Sequence, residues 1–489
     1  MRTANIALSA ALAFPAAVLG QDLTSLSAAE AAAKIRNGEI TSEALTRALI
    51  DKARSGKSLN AFITLDEQGA LKAAKAADAA AKAKKWKGPL HGVPLVVKDN
   101  IHVAGLPNTA GTPGMKGFVP KENAPVVKKL LDAGAIVLGK TNMHELAFGI
   151  TSNNAAFGAV GNPYDPKRIA GGSSGGSGSA IAARMAPAGL GSDTGGSVRI
   201  PSAVNGISGL RPTIGRYPQA GITPIAHTRD TAGPMARSVA DLVLLDSVIT
   251  GAKDTLAPEP LKGLRFGVPK VLNDGVDAET GRLMNGALAK LKAAGADLVE
   301  ADMPGLMELN NKLSFPIALH EVTIDLPAYA KKSGIKLDLK GFAGTVASPD
   351  VKGLFGALSK GEPPTIPRKV YDEAMKVHRP ALIRTYADYF AKEKFAAIAF
   401  PTVPLTAAPI GDDQETLLEG KKVPTFTTFI RNTDPGSNAG LPGLSVPIGM
   451  TKDGLPVGFA LDGPRGSDRK LLAIGLALEA LFGPIPAPK

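Results

Sequence analysis

The amino-acid sequence predicts an α/β protein. VPLVV, at 93–97, is a short apolar run rich in β-branched residues, and it predicts a buried strand that ends at Lys98. PVVKKLLDAG, at 125–134, is typical of a helix stopped by a glycine, and AIVLGK, at 135–140, predicts the next strand. This strand, helix, strand order indicates the α/β class.

The composition bounds the kind of protein. The chain has 489 residues, 44% of them hydrophobic and 20% charged, which excludes a disordered, collagenous or long coiled-coil protein. It has no cysteine, so disulfides, thiolate nucleophiles and iron–sulfur clusters are excluded. Its six histidines form no HxH or HExxH pair. We therefore expect neither a metal site nor a cofactor.

The chain is basic, with 56 Lys and Arg against 44 Asp and Glu, a net charge of +12. Much of the excess is scattered lysine, as in 72–87, and this pattern is typical of a solvated helix face. A nucleic-acid site would interleave aromatic residues with the basic ones, and this stretch offers only Trp86. We expect a small-molecule substrate and no nucleic-acid partner.

The N-terminus resembles a secretory signal peptide over residues 1–20. Arg2 precedes an apolar run over 6–19, and Val18 and Gly20 are small enough for cleavage before Gln21. The run is short for a membrane span, so no stable membrane insertion is expected once the signal is removed. This predicts a periplasmic or secreted protein. A buried N-terminal helix or an uncleaved anchor is the alternative, and a cytoplasmic location would follow if the segment is not a signal.

The rest of the chain is expected to form an N-terminal helical segment, 21–85, followed by one large domain, 86–489. Ser27 and Glu30 have the spacing of a helix capping box, and a second helix should follow Thr41. Further helices are predicted near 280–295, 369–394 and 469–482, strands at AAIAFP (396–401) and GLSVPIGM (443–450), and a linker at 251–263.

Two Gly-Ser stretches, at 171–177 and 191–199, are the most informative part of the sequence. A flexible linker would not lead directly into AIAARMAPAGLG, which is typical of a closely packed helix of small residues. A phosphate loop would need GxxxxGK[ST] or GxGxxG, and neither is present here. The esterase motif GxSxG matches at Ser173 and Ser174, but it requires a preceding strand, and NPYDPKRIA does not predict one.

Amide hydrolysis explains these stretches better when Lys98 is included. Successive glycines let Thr194, Gly195 and Gly196 present consecutive backbone N–H groups to an oxyanion, and Ser197 would be the nucleophile. A lysine can act as a base when burial lowers its pKa towards 7–8, and Lys98 ends an apolar strand. Because strand side chains alternate, the adjacent carboxylate should point away from it.

Lys98, GGSSGGS (171–177) and DTGGSVRIPS (193–202) together resemble the amidase signature family. The resemblance implies a large mixed β-sheet core covered by helices on both faces, with core motifs over 90–235 and a variable substrate-side region near 300–380. It implies that Ser197 forms the acyl-enzyme, that Ser173 is a bridging serine after a cis peptide bond at Gly172, and that Lys98 is the terminal base.

The resemblance extends to four further residues. Asp193 and Arg199 should brace the nucleophile loop, Ala147 falls where the family uses a backbone carbonyl near the lysine, and Thr151 lies in a substrate-facing loop. A satisfied polar group without a site role is the alternative for each.

The implied activity is cleavage of a linear carboxamide to a carboxylic acid and ammonia or an amine. The sequence segments at 107–115, 144–158 and 227–241 look most like those of the indoleacetamide and mandelamide hydrolase branch, so an arylalkyl amide is the expected substrate. The alternatives are a glutamine-hydrolysing amidotransferase subunit, an amidase for anilides, fatty amides or peptide amides, an inactive binding scaffold, and an esterase using Ser174. A homodimer is compatible with the sequence.

Overall fold

The structure is a computed structural model and describes residues 22–489. The predicted signal peptide at 1–20 lies outside the described residues. Across 22–489, no helix is both long enough and apolar enough to cross a membrane.

An eleven-stranded mixed sheet forms the centre of the molecule, in the order β1-β3-β2-β6-β8-β7-β14-β15-β11-β9-β10, with two small hairpins, β4-β5 and β12-β13, outside it. The strands are β1 (Phe62–Leu65), β2 (Pro94–Lys98), β3 (Ile136–Thr141), β4 (Asn153–Asn154), β5 (Gly158–Ala159), β6 (Ala188–Asp193), β7 (Ser208–Arg211), β8 (Thr231–Ala236), β9 (Arg265–Gly267), β10 (Asp297–Val299), β11 (Ala397–Pro401), β12 (Glu415–Leu418), β13 (Lys421–Pro424), β14 (Gly443–Met450) and β15 (Pro456–Asp462).

The sheet mixes parallel and antiparallel pairs, which confirms the predicted fold class. β2 lies between β3 and β6 and is parallel to both. The pairs from β6 through β11 are antiparallel, and β9 is parallel to β10 and β11. The predicted strands at 93–97 and 135–140 are confirmed as β2 and β3, and those at 396–401 and 443–450 as β11 and β14.

Seventeen α-helices lie within residues 22–489: α1 (Ala28–Arg36), α2 (Ser42–Ser55), α3 (Glu67–Lys82), α4 (Pro125–Asp132), α5 (Gly175–Ala182), α6 (Arg199–Val204), α7 (Val239–Thr250), α8 (Lys270–Asn273), α9 (Ala278–Ala293), α10 (Leu306–Ser333), α11 (Leu339–Thr345), α12 (Pro349–Lys360), α13 (Arg368–Glu373), α14 (Arg379–Glu393), α15 (Thr425–Ile430), α16 (Asp434–Ala439) and α17 (Asp468–Phe482). A π-helical turn (Ala374–His378) joins α13 to α14. The helix α4 packs on α7, α7 on α17 and α17 on α9 to form one layer, while α5 and α6 pack together against the sheet in another.

The N-terminal segment differs from the prediction in one respect. The capping box of α1 is confirmed, because the Ser27 hydroxyl accepts the backbone N–H of Glu30 and the Glu30 carboxylate accepts that of Ser27. The segment was expected to be helical, but it also contains β1, which pairs antiparallel with β3. The segment therefore contributes an edge strand to the central sheet.

The stretch after the first Gly-Ser run also differs. The helix of small residues was expected over AIAARMAPAGLG, but α5 begins earlier, inside the run, and β6 takes up AGLGSD. A Cβ on Gly189 would lie 2.4 Å from the Val96 carbonyl oxygen on the neighbouring strand. The small residues at 188–191 thus serve close strand packing.

Candidate active site

Lys98 meets Ser173 at the end of β2. The lysine is fully buried, and its Nζ lies 2.7 Å from Ser173 Oγ and 2.9 Å from Ser192 Oγ. Ser192 comes from β6, the strand next to β2, and Ser173 stands just before α5, after a cis peptide bond from Gly172. Three separate parts of the sequence therefore converge on one amine.

The environment of Lys98 makes it a base near neutral pH. Burial lowers the pKa of the lysine to about 7, although the charges of Asp193 and Asp230 oppose that shift. Asp99 does not contribute, because its carboxylate faces Lys140, whose Nζ is 3.3 Å away. This agrees with the expected alternation along the strand. A neutral Lys98 can accept a proton from Ser173.

The loop from β6 to α6 presents free backbone donors beside Ser197. The Thr194 carbonyl accepts a bond from Arg229 Nε at 3.1 Å, and the Gly195 carbonyl accepts one from Thr433 Oγ1 at 2.7 Å. Because a trans peptide holds its C=O and N–H on opposite sides, the following N–H groups point away from these partners. Within residues 22–489, no protein acceptor takes the backbone N–H of Gly195, Gly196 or Ser197. These three groups are placed to bind an oxyanion.

The two glycines of this loop are required by close packing. Gly196 has φ +149°, and a Cβ there would lie 2.2 Å from Thr433 Oγ1. A Cβ on Gly195 would lie 2.8 Å from Asp434 Oδ1. Larger residues would push the loop away from the wall that orients its carbonyls.

A buried ion cluster lies under the loop. Asp193 Oδ2 is 3.2 Å from Arg199 Nε, Asp193 Oδ1 is 3.0 Å from Arg211 Nη1, and the backbone N–H of Val198 donates to Asp193 at 3.1 Å. Burial alone would raise the pKa of Asp193, but the two arginines outweigh it and hold that pKa well below its usual range. The carboxylate therefore stays charged and fixes both ends of the loop.

Asp230 holds the other side of the loop. Its carboxylate accepts the Thr194 hydroxyl at 2.7 Å and the backbone N–H groups of Ile225 and Ala226 at 2.8 and 2.9 Å. Burial raises the pKa of Asp230 to about 6, against the lowering effect of these hydrogen bonds. Asp230 therefore loses its charge at a mildly acidic pH.

Ser197 opens onto a cavity of about 520 Å³. Two predicted residues, Ala147 and Thr151, line it, and so do residues of the 300–380 region on α10 and α12. A further part of the wall comes from 413–434, a part of the chain that the sequence did not single out. The apolar lining residues are Ala147, Phe148, Ile150, Ile225, Met307, Phe315, Ala318, Leu319, Leu354, Pro364, Ile366, Phe426 and Ile430.

The structure thus brings the predicted residues together in two groups. Lys98 contacts Ser173, and the backbone N–H of Ser174 donates to the Ser197 carbonyl at 3.2 Å, which joins the loop 194–197 to this pair. Asp193 and Arg199 lie buried beneath that loop. Ala147 accepts no bond from Lys98 and instead forms cavity wall, where its φ is +62°. Sequence reasoning missed four residues: Ser192, Arg211, Arg229 and Asp230. Ser192 could have been found as the neighbour of Asp193, and the Arg229-Asp230 pair lies inside a phrase already noted at 227–241.

The esterase alternative on Ser174 does not fit. No strand leads directly into Ser174, since β5 ends at Ala159, and the Ser174 side chain is fully buried and donates to the Ser192 carbonyl at 3.2 Å. A nucleophile elbow would expose this hydroxyl.

One group of possible metal ligands exists among residues 22–489. His227, Glu321 and Asp325 each bring one ligand atom within 4.8 Å of the others. Asp325 Oδ2 already accepts the backbone N–H of His227, and Glu321 Oε2 accepts the hydroxyl of Thr228. Glu321 and Asp325 lie outside the lining of the Ser197 cavity, and the expected absence of a metal site stays a prediction.

Comparisons with known proteins agree with this geometry. A family profile described as Amidase matches residues 44–472. Mandelamide hydrolase of Pseudomonas putida is 44% identical, with 96% of this chain and 94% of that protein covered. Indoleacetamide hydrolase of Agrobacterium vitis is 43% identical, with 94% and 97% covered. A crystal structure of an amidase matches with TM-score 0.83 at 34% identity over 94% of this chain and 100% of the other. Peptide amidase from Stenotrophomonas maltophilia matches with TM-score 0.78 at 29% identity, over 95% and 98%. The chain belongs to the amidase signature family.

Proposed function

We propose that this protein hydrolyses arylalkyl primary amides to a carboxylic acid and ammonia. The observation that carries the proposal is the buried Lys98, 2.7 Å from Ser173, beside a Ser197 whose neighbouring amides are free. The relatives named for mandelamide and indoleacetamide hydrolysis, which match nearly the whole chain, support the choice of substrate.

The reaction proceeds in two halves. Ser197 Oγ attacks the amide carbonyl while its proton passes through the Ser173 hydroxyl to neutral Lys98. The N–H groups of Gly195, Gly196 and Ser197 stabilise the oxyanion that forms. Collapse breaks the C–N bond, and the proton returns through Ser173 to the departing nitrogen, which leaves as ammonia. Water then hydrolyses the acyl-enzyme by the same route and restores Ser197.

The cavity suits an aromatic acyl group. Its volume of about 520 Å³ lies within the range of small-molecule sites, and its walls are mostly aliphatic and aromatic. Burial of an indole or phenyl ring there excludes water from the reacting carbonyl. A long acyl chain or a peptide would have to extend beyond this space.

The test is ammonia release from purified protein with indole-3-acetamide, mandelamide, phenylacetamide, hexanamide, an amidated dipeptide and glutamine. Ser197→Ala should be inactive, while the matched exposed-site control Ser55→Ala should retain wild-type rates. Release from glutamine alone would favour the amidotransferase reading. Release from hexanamide or the dipeptide alone would replace the aryl substrate.

We propose in addition that residues 1–20 direct export. Mass determination of the mature chain from a periplasmic or secreted fraction tests this, since cleavage before Gln21 is the expected result. Light scattering of the same material distinguishes a monomer from a homodimer.

A further inference from the structure

Asp413 places an unused carboxylate oxygen in the substrate cavity. It lies between β11 and β12 and lines the cavity together with Thr151. Its Oδ1 accepts two hydrogen bonds, from Thr151 Oγ1 at 2.8 Å and from Asn153 Nδ2 at 2.7 Å. Its Oδ2 accepts none from residues 22–489, and it is not a buried atom. No cationic side chain in that range forms an ion pair with Asp413. The carboxylate is therefore held in a fixed orientation with one oxygen free.

Two polar neighbours of Asp413 have their protons engaged elsewhere or on Oδ1. His144 Nδ1 accepts the backbone N–H of Ser152 at 3.2 Å, so the proton of the neutral ring is on Nε2, which donates to Asp350 Oδ2 at 2.9 Å. The Thr151 hydroxyl has already given its proton to Asp413. His144 and Thr151 therefore present no free proton to Asp413 Oδ2.

The cations that line the cavity are engaged elsewhere. Arg229 donates to the Thr194 and Ser314 carbonyls and pairs with Asp434. Arg431 donates to the carbonyls of Asp274 and Gly275. Three carboxylates line the cavity against these two guanidinium groups, namely Asp350, Asp413 and Asp434, so the net charge of the lining is negative and disfavours an amide that carries a carboxylate.

We propose that Asp413 Oδ2 is a recognition subsite for a hydrogen-bond donor, an N–H or O–H group, on the acyl part of the substrate. This inference rests on the proposed amide hydrolysis and adds to it the chemistry by which acyl groups are distinguished. The indole N–H of indoleacetamide and the hydroxyl of mandelamide are donors of this kind. A substrate ring packed over Oδ2 would exclude water from that oxygen, so an analogue without the donor would leave the acceptor unpaired and would be discriminated against.

The experiment compares indole-3-acetamide with benzofuran-3-acetamide, in which an oxygen replaces the ring N–H with little change of shape. In the wild-type protein, kcat/KM should favour the indole by about ten-fold or more. Asp413→Asn keeps an acceptor for Thr151 and Asn153 but presents an NH2 group in place of Oδ2, so the preference should fall to about one or reverse.

Asp412→Asn is the matched control, because it removes the same charge at the neighbouring residue. The Asp412 side chain lies outside the cavity lining and accepts the Thr416 hydroxyl at 3.2 Å. It should keep the wild-type preference. Circular dichroism and an unchanged thermal unfolding midpoint show that the Asp413→Asn variant is folded.

Two results would overturn the subsite: equal kcat/KM for both amides in the wild-type protein, or an unchanged preference in Asp413→Asn. In either case, continued turnover of both amides leaves the proposed hydrolase activity intact. Absence of wild-type turnover of these two amides and of phenylacetamide would overturn the hydrolase proposal and the subsite together.

Discussion

The pH dependence of turnover follows from the burial of Lys98. Burial lowers the pKa of this lysine to about 7, and the neutral amine is the form that can accept a proton. Activity is therefore present above pH 7 and is lost as the pH falls through that value. With one titrating base, about 91% of the lysine is neutral at pH 8 and about 9% at pH 6, so kcat/KM should fall about ten-fold between them.

A second group steepens the acid limb. The pKa of Asp230 is raised to about 6 by burial, and its protonated form is a poorer acceptor for Thr194 in the oxyanion loop. Below pH 6, log kcat/KM should therefore fall with a slope greater than one. Asp230→Asn removes a charge that raises the pKa of Lys98, so its profile should move to lower pH and have a slope of one.

The assay is ammonia release at substrate concentrations well below KM, from pH 5 to pH 9, with circular dichroism to confirm that the protein stays folded. Asp412→Asn serves as a control for loss of one carboxylate and should keep the wild-type profile. A kcat/KM that is flat from pH 6 to pH 8, or that falls as the pH rises, would refute the assignment of Lys98 as the base.

Three further substitutions test other parts of the site. Ser173→Ala breaks the path between Ser197 and Lys98, so kcat should fall by about 10² to 10⁴ while thermal stability is kept; rates near wild type in a steady-state assay would contradict the relay. Gly196→Ala places a Cβ 2.2 Å from an oxygen of the facing wall, and urea unfolding should show a loss of about 1–3 kcal/mol together with a lower kcat. Arg199→Met removes one counter-ion from buried Asp193 and should lower the free energy of unfolding by about 3–5 kcal/mol in the same experiment. An unchanged unfolding midpoint would show that Arg211 alone is enough to stabilise the Asp193 carboxylate.

Local patterns in the sequence were enough to predict much of the sheet. The runs 93–97 and 135–140 predict strands because they are short, apolar and contain β-branched residues, and they form β2 and β3, the third and second strands from one edge of the sheet. The sequence does not predict strand β6, because Ala188–Asp193 contains two glycines and no β-branched residue. Its residues are small because the neighbouring strands approach so closely that larger side chains would collide. Such packing is visible only in three dimensions.

The residues of the candidate site also fall into those that the sequence predicts and those that it does not. Lys98 and the two Gly-Ser stretches stand out in the sequence because their local chemistry is unusual. Ser192 and Asp230 lie inside segments that the sequence marks, but nothing local distinguishes these two residues from their neighbours. Their significance comes from the 2.9 Å contact to Lys98 and the 2.7 Å contact to Thr194, which join residues far apart in the chain. The wall formed by 413–434 was missed for the same reason.

The helices on the substrate side have an apolar core of their own. Val322 and Leu326 of α10, Phe342 of α11 and Phe355 of α12 pack together, and this cluster reaches the rest of the protein through a few residues such as Met115. Two of its members, Leu319 and Leu354, line the cavity, so we expect substitutions inside the cluster to act on the cavity wall before they affect the central sheet. Substrate range can therefore diversify over generations by exchange of this one layer, while the chemical step is inherited unchanged.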